Sequence, residues 1–259
     1  MTRPVLVLAA IPEEARPLRR ALGGRTDILV AVTGDGAARA ARATTALLVR
    51  YGPGLVVVAG FAGALTARSR RAEACLVREV RDGRGRSGPS ADPAATARAR
   101  RVGLPEAVLV DADRLVRTPD QRDRVRTAAG LAASDRGLVD LETHACARAI
   151  EAAGIPWIAV RAVTDTWDDR LPEWLETART PDGGIRRGAL VAGALLRPAR
   201  FPALLRLGRR GRRAGRELSE AVRAVLDGIG TGPFGAPDAG ARDDPEGHVA
   251  NLPRTRSRA

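Results

Sequence analysis

The sequence predicts an α/β protein in which strands and helices form layers. Apolar strand-like runs alternate along the chain with helical segments, which is the order typical of layered α/β folds. The run at 55–59 is rich in β-branched residues and has no polar side chain, as in a central strand buried on both faces. With 259 residues and 44% hydrophobic content, the chain is long enough to bury one large core.

Strands and helices alternate from the first residues onward. The apolar run at 4–11 predicts the first strand, and Pro12 with two acidic residues begins a helix that ends at residue 22. A glycine turn at 33–36 opens a helix that ends near Tyr51, and Gly-Pro-Gly at 52–54 forms a turn. The other predicted strands are 28–32, 55–59, 75–80, 107–110, 137–141 and 156–163, and the other predicted helices are 119–129, 142–153, 187–196 and 200–227.

Four segments lack a strong apolar period. Residues 60–64 are predicted to form a loop of small residues, and 82–99 a loop or mobile excursion rich in glycine, serine and proline. Residues 166–184 are predicted to be a loop with some helix that can act as a lid. From residue 229 the chain is rich in glycine, proline, aspartate and arginine, which predicts a disordered tail at 229–259 after a single domain at 1–228.

The charge of the chain is carried by arginine alone. All 43 basic residues are arginine, and the net charge is +13. The exclusion of lysine indicates a codon bias of the genome, so most of these side chains are expected to be solvated surface residues. A nucleic-acid groove combines basic residues with aromatic ones that stack on bases, but only 3% of this chain is aromatic. We therefore expect no specific nucleic-acid partner.

The cysteines and apolar runs indicate the compartment. Cys75 and Cys146 have neither CxxC nor metal-ligand spacing, which predicts buried free thiols, no metal site and a reduced, cytoplasmic protein. No apolar run reaches the roughly 20 residues that span a bilayer. The run at 4–11 is too short for a signal peptide and has no basic n-region of note. We expect a protein that is soluble or peripheral to a membrane.

Three acidic residues, Glu14, Glu142 and Asp165, each follow a strand-like run. In open α/β sheets, ligands bind outside the carboxyl ends of the strands. Three carboxyl groups delivered there from distant parts of the chain therefore predict a site. Taken singly, each also has a structural explanation: Glu14 and Glu142 begin helices, where the macrodipole favours a carboxylate, and Asp165 can act as a cap after its strand.

Five short sequences place these acids in a known context. They are VLAAIPEE at 7–14, TGDG at 33–36, VAGFAGAL at 58–65, VDLE at 139–142 and VRAVTD at 160–165. In order and spacing they resemble the motifs of nucleoside phosphorylases and of methylthioadenosine/S-adenosylhomocysteine nucleosidases. The resemblance implies a three-layer phosphorylase/hydrolase-like fold with a mixed central sheet. It also implies an enzyme that cleaves the N-ribosidic bond of an adenine nucleoside without a cofactor.

The resemblance assigns a role to each acid. Asp165 would pass a proton to N7 of the leaving adenine, and burial is expected to keep this acid protonated near neutral pH. Glu142 would hold the ribose hydroxyls while positive charge grows at the anomeric carbon. Glu14, rather than its neighbour Glu13, would act as the general base on the attacking water.

The same resemblance places the base pocket at Phe61, Ala62, Gly63, Leu115 and Leu141. Leu115 falls where the family has a stacking phenylalanine, although a leucine there is equally consistent with plain core.

The nucleophile is either water or phosphate. Phosphorylases of this family carry an arginine at the position of Val58 and a serine at that of Phe61, and this chain lacks both. The backbone of Gly34 and Gly36 could still hold an anion at a helix N-terminus, which leaves inorganic phosphate as an alternative co-substrate. The missing residues favour hydrolysis, and Arg161 is expected to be a structural ion-pair partner rather than a phosphate ligand.

The segment after residue 170 narrows the resemblance to hopanoid-associated phosphorylases, which cleave adenine from adenosylhopane. The sequences that carry this closer resemblance are Leu-Pro at 171–172, GAL at 188–190, the segment 196–207 and ETH at 142–144. It implies a lipid-linked adenine nucleoside as substrate, in hopanoid biosynthesis. The alternatives are methylthioadenosine/S-adenosylhomocysteine nucleosidase activity, or a non-catalytic protein that binds nucleosides.

The segment 183–216 carries ten arginines and no acid, together with the apolar residues Phe201, Leu204 and Leu205. It either packs on the sheet with its arginines in water or docks on anionic lipid at the inner membrane face, at about 1 kcal/mol per arginine near the surface. Members of the family are often dimers, so a homodimer is an additional expectation.

Overall fold

The computed structural model describes residues 3–177 and 201–230. The strands are β1 Val5–Ala9, β2 Ile28–Val32, β3 Leu55–Ala64, β4 Ala74–Arg81, β5 Glu106–Asp111, β6 Gly137–Asp140 and β7 Trp157–Asp165. The helices are α1 Pro12–Leu22, α2 Ala37–Tyr51, α3 Pro93–Arg100, α4 Pro119–Ala128, α5 Thr143–Ala152, α6 Trp174–Thr177 and α7 Phe201–Ile229.

The sheet is mixed, and part of it closes into a ring. β1 lies between β2 and β3, and all three run parallel. β3 also pairs with β7 in parallel and, through its last residues Gly63 and Ala64, with β6 in antiparallel orientation. The ring continues from β6 to β5, from β5 to β4 and from β4 back to β7. The length of β3, ten residues, is what lets one strand join the open part of the sheet to the ring.

Helices cover both faces of the sheet, because successive side chains of a strand point to opposite faces. Val5 and Val7 of β1 belong to a core that includes residues of α1, α3 and α7. Leu6 and Leu8 belong to a second core, formed with α2 and α5. The two cores make the three layers expected from the sequence.

The predicted loop at 60–64 is wrong, because these residues extend β3. Their small size does not end the strand but leaves room for side chains that pack against it. A Cβ on Gly60 would lie 2.6 Å from Nη1 of Arg161, and one on Gly63 would lie 2.7 Å from Oδ2 of Asp165. Glycine in a strand often marks such a close approach.

The predicted loop at 82–99 is also partly wrong, because residues 93–99 belong to α3. Asp92 caps this helix, accepting a hydrogen bond from the N–H of Ala95 at 2.7 Å, and Pro93 is its first residue. Asp-Pro is thus a helix start here, as capping preferences allow.

The remaining predictions concern the cysteines, the segments at the end of the chain and the membrane. Cys75 and Cys146 are free and buried, as predicted. The predicted helix at 187–196 and residues 231–259 of the predicted tail lie outside the described residues, whereas Ile229, the first residue of that tail, is the last residue of α7. The domain limits therefore stay a prediction. In the described part of the chain, no helix combines the length and the apolar character needed to cross a membrane.

Candidate active site

A cavity of about 200 Å³ lies near the ends of β1, β3, β6 and β7. Glu14, Glu142 and Asp165 all line it, so the structure brings the three predicted acids together. The rest of the lining is mainly apolar, and it consists of Ala10, Ile11, Asp35, Phe61, Ala62, Gly63, Leu115, Val116, Val139, Asp140, Leu141 and Thr164.

Glu14 is buried in the first turn of α1 and is held by three backbone donors. Its Oε2 accepts hydrogen bonds from the N–H groups of Ala10 at 2.8 Å and Ile11 at 3.1 Å, and its Oε1 accepts one from Phe61 at 2.7 Å. Burial raises the pKa of Glu14 to about 7, although these bonds and the charge of Arg161 lower it. A carboxyl group with this pKa exchanges its proton near neutral pH, as a general base must.

Glu142 lies at the N-cap position of α5, but its side chain does not cap that helix. Its Oε1 instead accepts a hydrogen bond from the N–H of Gly36 at 2.9 Å. Burial raises the pKa of Glu142 to about 7, and the charges of Asp140 and Glu14 act in the same direction. The two glutamates are therefore close enough to influence each other's protonation.

Gly34 and Gly36 form the turn before α2, with φ angles of +90° and +87° that favour glycine. The N–H of Gly34 donates to the carbonyl of Ala10 at 3.0 Å, and that of Gly36 donates to Glu142. An anion at this turn would have to displace both of these acceptors. The anion site proposed for these glycines stays a prediction.

Asp165 is the last residue of β7, and both of its oxygens are hydrogen-bonded. Oδ2 accepts from Nη2 of Arg122 at 2.5 Å, and Oδ1 lies 2.6 Å from Oγ1 of Thr164. Arg122 belongs to α4 and is 1% exposed. That Asp165 carries a proton in the resting protein stays a prediction.

Arg122 is the site residue that the sequence did not point to. It lies in a polar helix among other arginines, in a chain that has 43 basic residues. No spacing or neighbouring motif distinguishes a buried arginine from solvated ones in such a chain, so its partner could only be found in three dimensions.

Arg161 is a structural ion-pair partner, as predicted. It is 3% exposed, and its Nη2 lies 3.0 Å from Oδ2 of Asp140. Thr143 at the start of α5 hydrogen-bonds to both side chains. This network fixes the residues on either side of Glu142.

The predicted base pocket residues, Phe61, Ala62, Gly63, Leu115 and Leu141, all line the cavity. Phe61 is partly buried, and its ring approaches the position of Gly215 in α7. Within the two described segments, no group of histidine, cysteine, aspartate and glutamate side chains is arranged to hold a metal ion.

A mixed sheet between two helix layers, with this cavity near its strand ends, defines the fold class of nucleoside phosphorylases and nucleosidases. The family model of the phosphorylase superfamily matches residues 7–195. The chain belongs to the phosphorylase superfamily.

Solved structures of this fold resemble the chain closely in shape and weakly in sequence. Futalosine hydrolase of Helicobacter pylori is 14% identical, with a TM-score of 0.66, over 88% of this chain and 98% of that protein. The methylthioadenosine/S-adenosylhomocysteine nucleosidase of Neisseria meningitidis, solved with methylthio-immucillin-A, is 15% identical, with a TM-score of 0.65, over 86% and 98%. A mutant of the Helicobacter pylori nucleosidase that holds 5′-methylthioadenosine in its active site is 13% identical, with a TM-score of 0.66, over 88% and 99%. A search of curated proteins found no match.

Proposed function

We propose that the protein is an enzyme that cleaves the N-ribosidic bond of an adenine nucleoside and releases adenine. The observation that supports this is the meeting of Glu14, Glu142 and Asp165, which are far apart in sequence, in one largely apolar cavity. Membership of the phosphorylase superfamily supports the same reaction class.

The three acids suit the three tasks of the reaction. The bond from the anomeric carbon to the base nitrogen breaks through a state that resembles an oxocarbenium ion. Asp165 passes a proton to N7 of adenine, which takes the bonding electrons, and Glu142 binds the ribose hydroxyls. Glu14 removes a proton from the water that attacks the anomeric carbon, and its pKa of about 7 fits that task.

Water is the preferred nucleophile. Among the described residues that line the cavity, none is basic. Val58, at the position of the phosphorylase arginine, is 3% exposed within β3, and Arg161 is paired with Asp140. The carboxylate of Glu142 at the N–H of Gly36 also opposes an anion there. These contacts support hydrolysis over phosphorolysis, for which inorganic phosphate would be the co-substrate.

The preferred substrate is an adenine nucleoside with a bulky apolar 5′ substituent, of the adenosylhopane type, which would place the reaction in hopanoid biosynthesis. Support comes from the motifs after residue 170 and from the apolar cavity wall, which reaches α7 at Phe61 and Gly215. The second candidate is methylthioadenosine or S-adenosylhomocysteine, the substrates named for the nucleosidases of the same fold.

The first part of α7 supports a peripheral contact with anionic lipid. Between Phe201 and Arg213, about 20 Å of helix, α7 has no buried residue, and burial starts at Ala214. Phe201 and Leu205 are 49% and 43% exposed, and Arg209 is exposed beside them. Exposed apolar and arginine side chains on one helix are the features that bind an anionic bilayer surface.

Sedimentation with vesicles tests this contact. The full-length protein should pellet with anionic vesicles at low salt and not with neutral ones. Replacing Arg209 and Arg213 by glutamine should weaken the partition about 30-fold, since each arginine contributes about 1 kcal/mol. Replacing the exposed Arg42 and Arg50 of α2 is the matched control. Equal losses in both double variants, or no pelleting, would refute the contact.

Adenine release tests the reaction and identifies the substrate. The substrates are methylthioadenosine, S-adenosylhomocysteine, a 5′-alkyl-adenosine and adenosylhopane in detergent, each with and without phosphate. We expect the fastest release from the substrates with long apolar groups and the same rate in both buffers. A requirement for phosphate would establish phosphorolysis, and a preference for methylthioadenosine would establish the second candidate. No release from any substrate would leave a nucleoside-binding protein.

A further inference from the structure

Arg122 is buried at a cost that only its partners offset. A buried guanidinium is unfavourable unless it is paired and hydrogen-bonded. Nη2 of Arg122 donates to Oδ2 of Asp165 at 2.5 Å, and Nη1 donates to the carbonyl of Ala64 at 2.9 Å. Nε is buried and has no partner. Arg122 is also the buried residue of α4, whose other residues are exposed or partly buried. The arginine is therefore held in the core by what it binds.

We propose that Arg122 is a positioning residue that selects Oδ1 as the oxygen from which Asp165 gives its proton, an inference that rests on the proposed function. A guanidinium only donates hydrogen bonds, so Oδ2 is fixed as an acceptor. A proton on Asp165 must then reside on Oδ1. Oγ1 of Thr164 lies 2.6 Å from Oδ1 and 3.4 Å from the carbonyl of Ala62. Once Asp165 has given up this proton, the hydroxyl of Thr164 donates to Oδ1.

Arg122 also acts on the charge that the reaction creates. When the N-ribosidic bond breaks, its electron pair goes to adenine, and the proton of Asp165 Oδ1 passes to N7. Asp165 becomes a carboxylate next to the guanidinium of Arg122. An interaction that strengthens as this charge develops lowers the barrier rather than merely tightening binding. Asp165 takes its next proton from solvent once adenine has left.

Arg122 and Asp165 can meet only because the residue beside them, Gly63, has no side chain. A Cβ at Gly63 would lie 2.7 Å from Oδ2 of Asp165 and 2.9 Å from Nη1 of Arg122. Any side chain larger than hydrogen would push the arginine and the aspartate away from each other. The glycine in β3, the arginine in α4 and the aspartate in β7 thus form one unit.

A double-mutant cycle tests the proposal. Arg122→Met should lower kcat about 10- to 100-fold, as for a lost hydrogen bond to a charged group, with a smaller change in KM. Arg122→Lys should recover most of the rate. In an Asp165→Asn background, Arg122→Met should lower the remaining rate less than about twofold, because groups that act as a unit are not additive. The exposed Arg124 of the same helix provides the control, Arg124→Met, with no change expected.

A purely structural role gives a different result. In that case Arg122→Met lowers kcat by the same factor in both backgrounds, which would overturn the proposal. If Arg122→Met does not fold, Arg122→Gln carries the same cycle: a loss that disappears in the Asp165→Asn background supports the proposal, and one that persists contradicts it. If the parent enzyme is active and Arg122→Met lowers kcat equally in both backgrounds, only the role of Arg122 is refuted. Absence of adenine release by the parent enzyme refutes the proposed function, and the role of Arg122 with it.

Discussion

Glu14→Gln removes one titrating group from the cavity with little change in shape. Burial raises the pKa of Glu14 from its ordinary 4.5 to about 7 in the folded protein. The folded state therefore holds a proton in a pH range where the unfolded chain has lost it. This contribution to stability is fully present below the unfolded pKa and is lost as pH rises through the folded pKa.

The size of the effect follows from the two pKa values. One pKa unit corresponds to about 1.4 kcal/mol, so Glu14 should cost the parent protein about 2.5 kcal/mol of stability between about pH 5 and about pH 8. The glutamine variant lacks this dependence. Its free energy of unfolding relative to the parent should therefore rise by about 2.5 kcal/mol over the same range. The charge of Glu14 also raises the pKa of Glu142, so the loss of that charge in the variant adds to this rise.

Urea unfolding at several pH values measures this difference. Glutamine has one oxygen for the three N–H donors of Ala10, Ile11 and Phe61, and the lost hydrogen bond adds a constant cost of about 1–3 kcal/mol. Only the pH dependence of the difference in unfolding free energy tests the role of Glu14. The exposed neighbour provides the control, Glu13→Gln, which should keep the pH dependence of the parent protein. A flat difference for Glu14→Gln would refute the account of Glu14. Adenine release should also fall about 10²- to 10⁴-fold, as for a lost general base.

Three further substitutions test the cavity and its surroundings. Gly60→Ala should lower both Tm and adenine release, because its Cβ would lie 2.6 Å from Nη1 of Arg161 and 3.0 Å from Oε1 of Glu14; parental Tm and rate would contradict that crowding. Gly211→Ala in α7 meets no atom within 4 Å and should raise stability by about 1 kcal/mol, measured by thermal unfolding, whereas a lower Tm would show a contact there. Leu115→Phe should lower KM for adenine nucleosides by stacking on the base; an unchanged or higher KM would contradict the place of Leu115 in the base pocket.

The local elements could be predicted because their signals are local. Pro12 marks the first residue of α1, and Gly23 follows its last. The run 28–32 is a strand with the predicted bounds, since charged and glycine residues flank it. Glu14 and Asp165 likewise lie near the carboxyl ends of the parallel strands β1 and β7, as the sheet argument predicted.

The path by which Glu142 reaches the cavity could not be predicted. β6, which precedes it, runs antiparallel to β3, so a flat parallel sheet would not place Glu142 with the other two acids. The last residues of β3 pair with Leu138 and Val139 and close the ring, which brings the end of β6 to the cavity. This pairing joins residues about 75 positions apart, and no local pattern encodes it.

Adenine release by Asp165→Asn, compared with the parent enzyme and with Asp168→Asn, tests the central claim most directly. Asp168 is exposed three residues further along the chain, so it matches the substitution without lining the cavity. With the preferred nucleoside, we expect Asp165→Asn to lose about 10²- to 10⁴-fold in kcat, as for a missing general acid, and Asp168→Asn to keep the parental rate. Parental adenine release by a folded Asp165→Asn variant would contradict the three-acid mechanism.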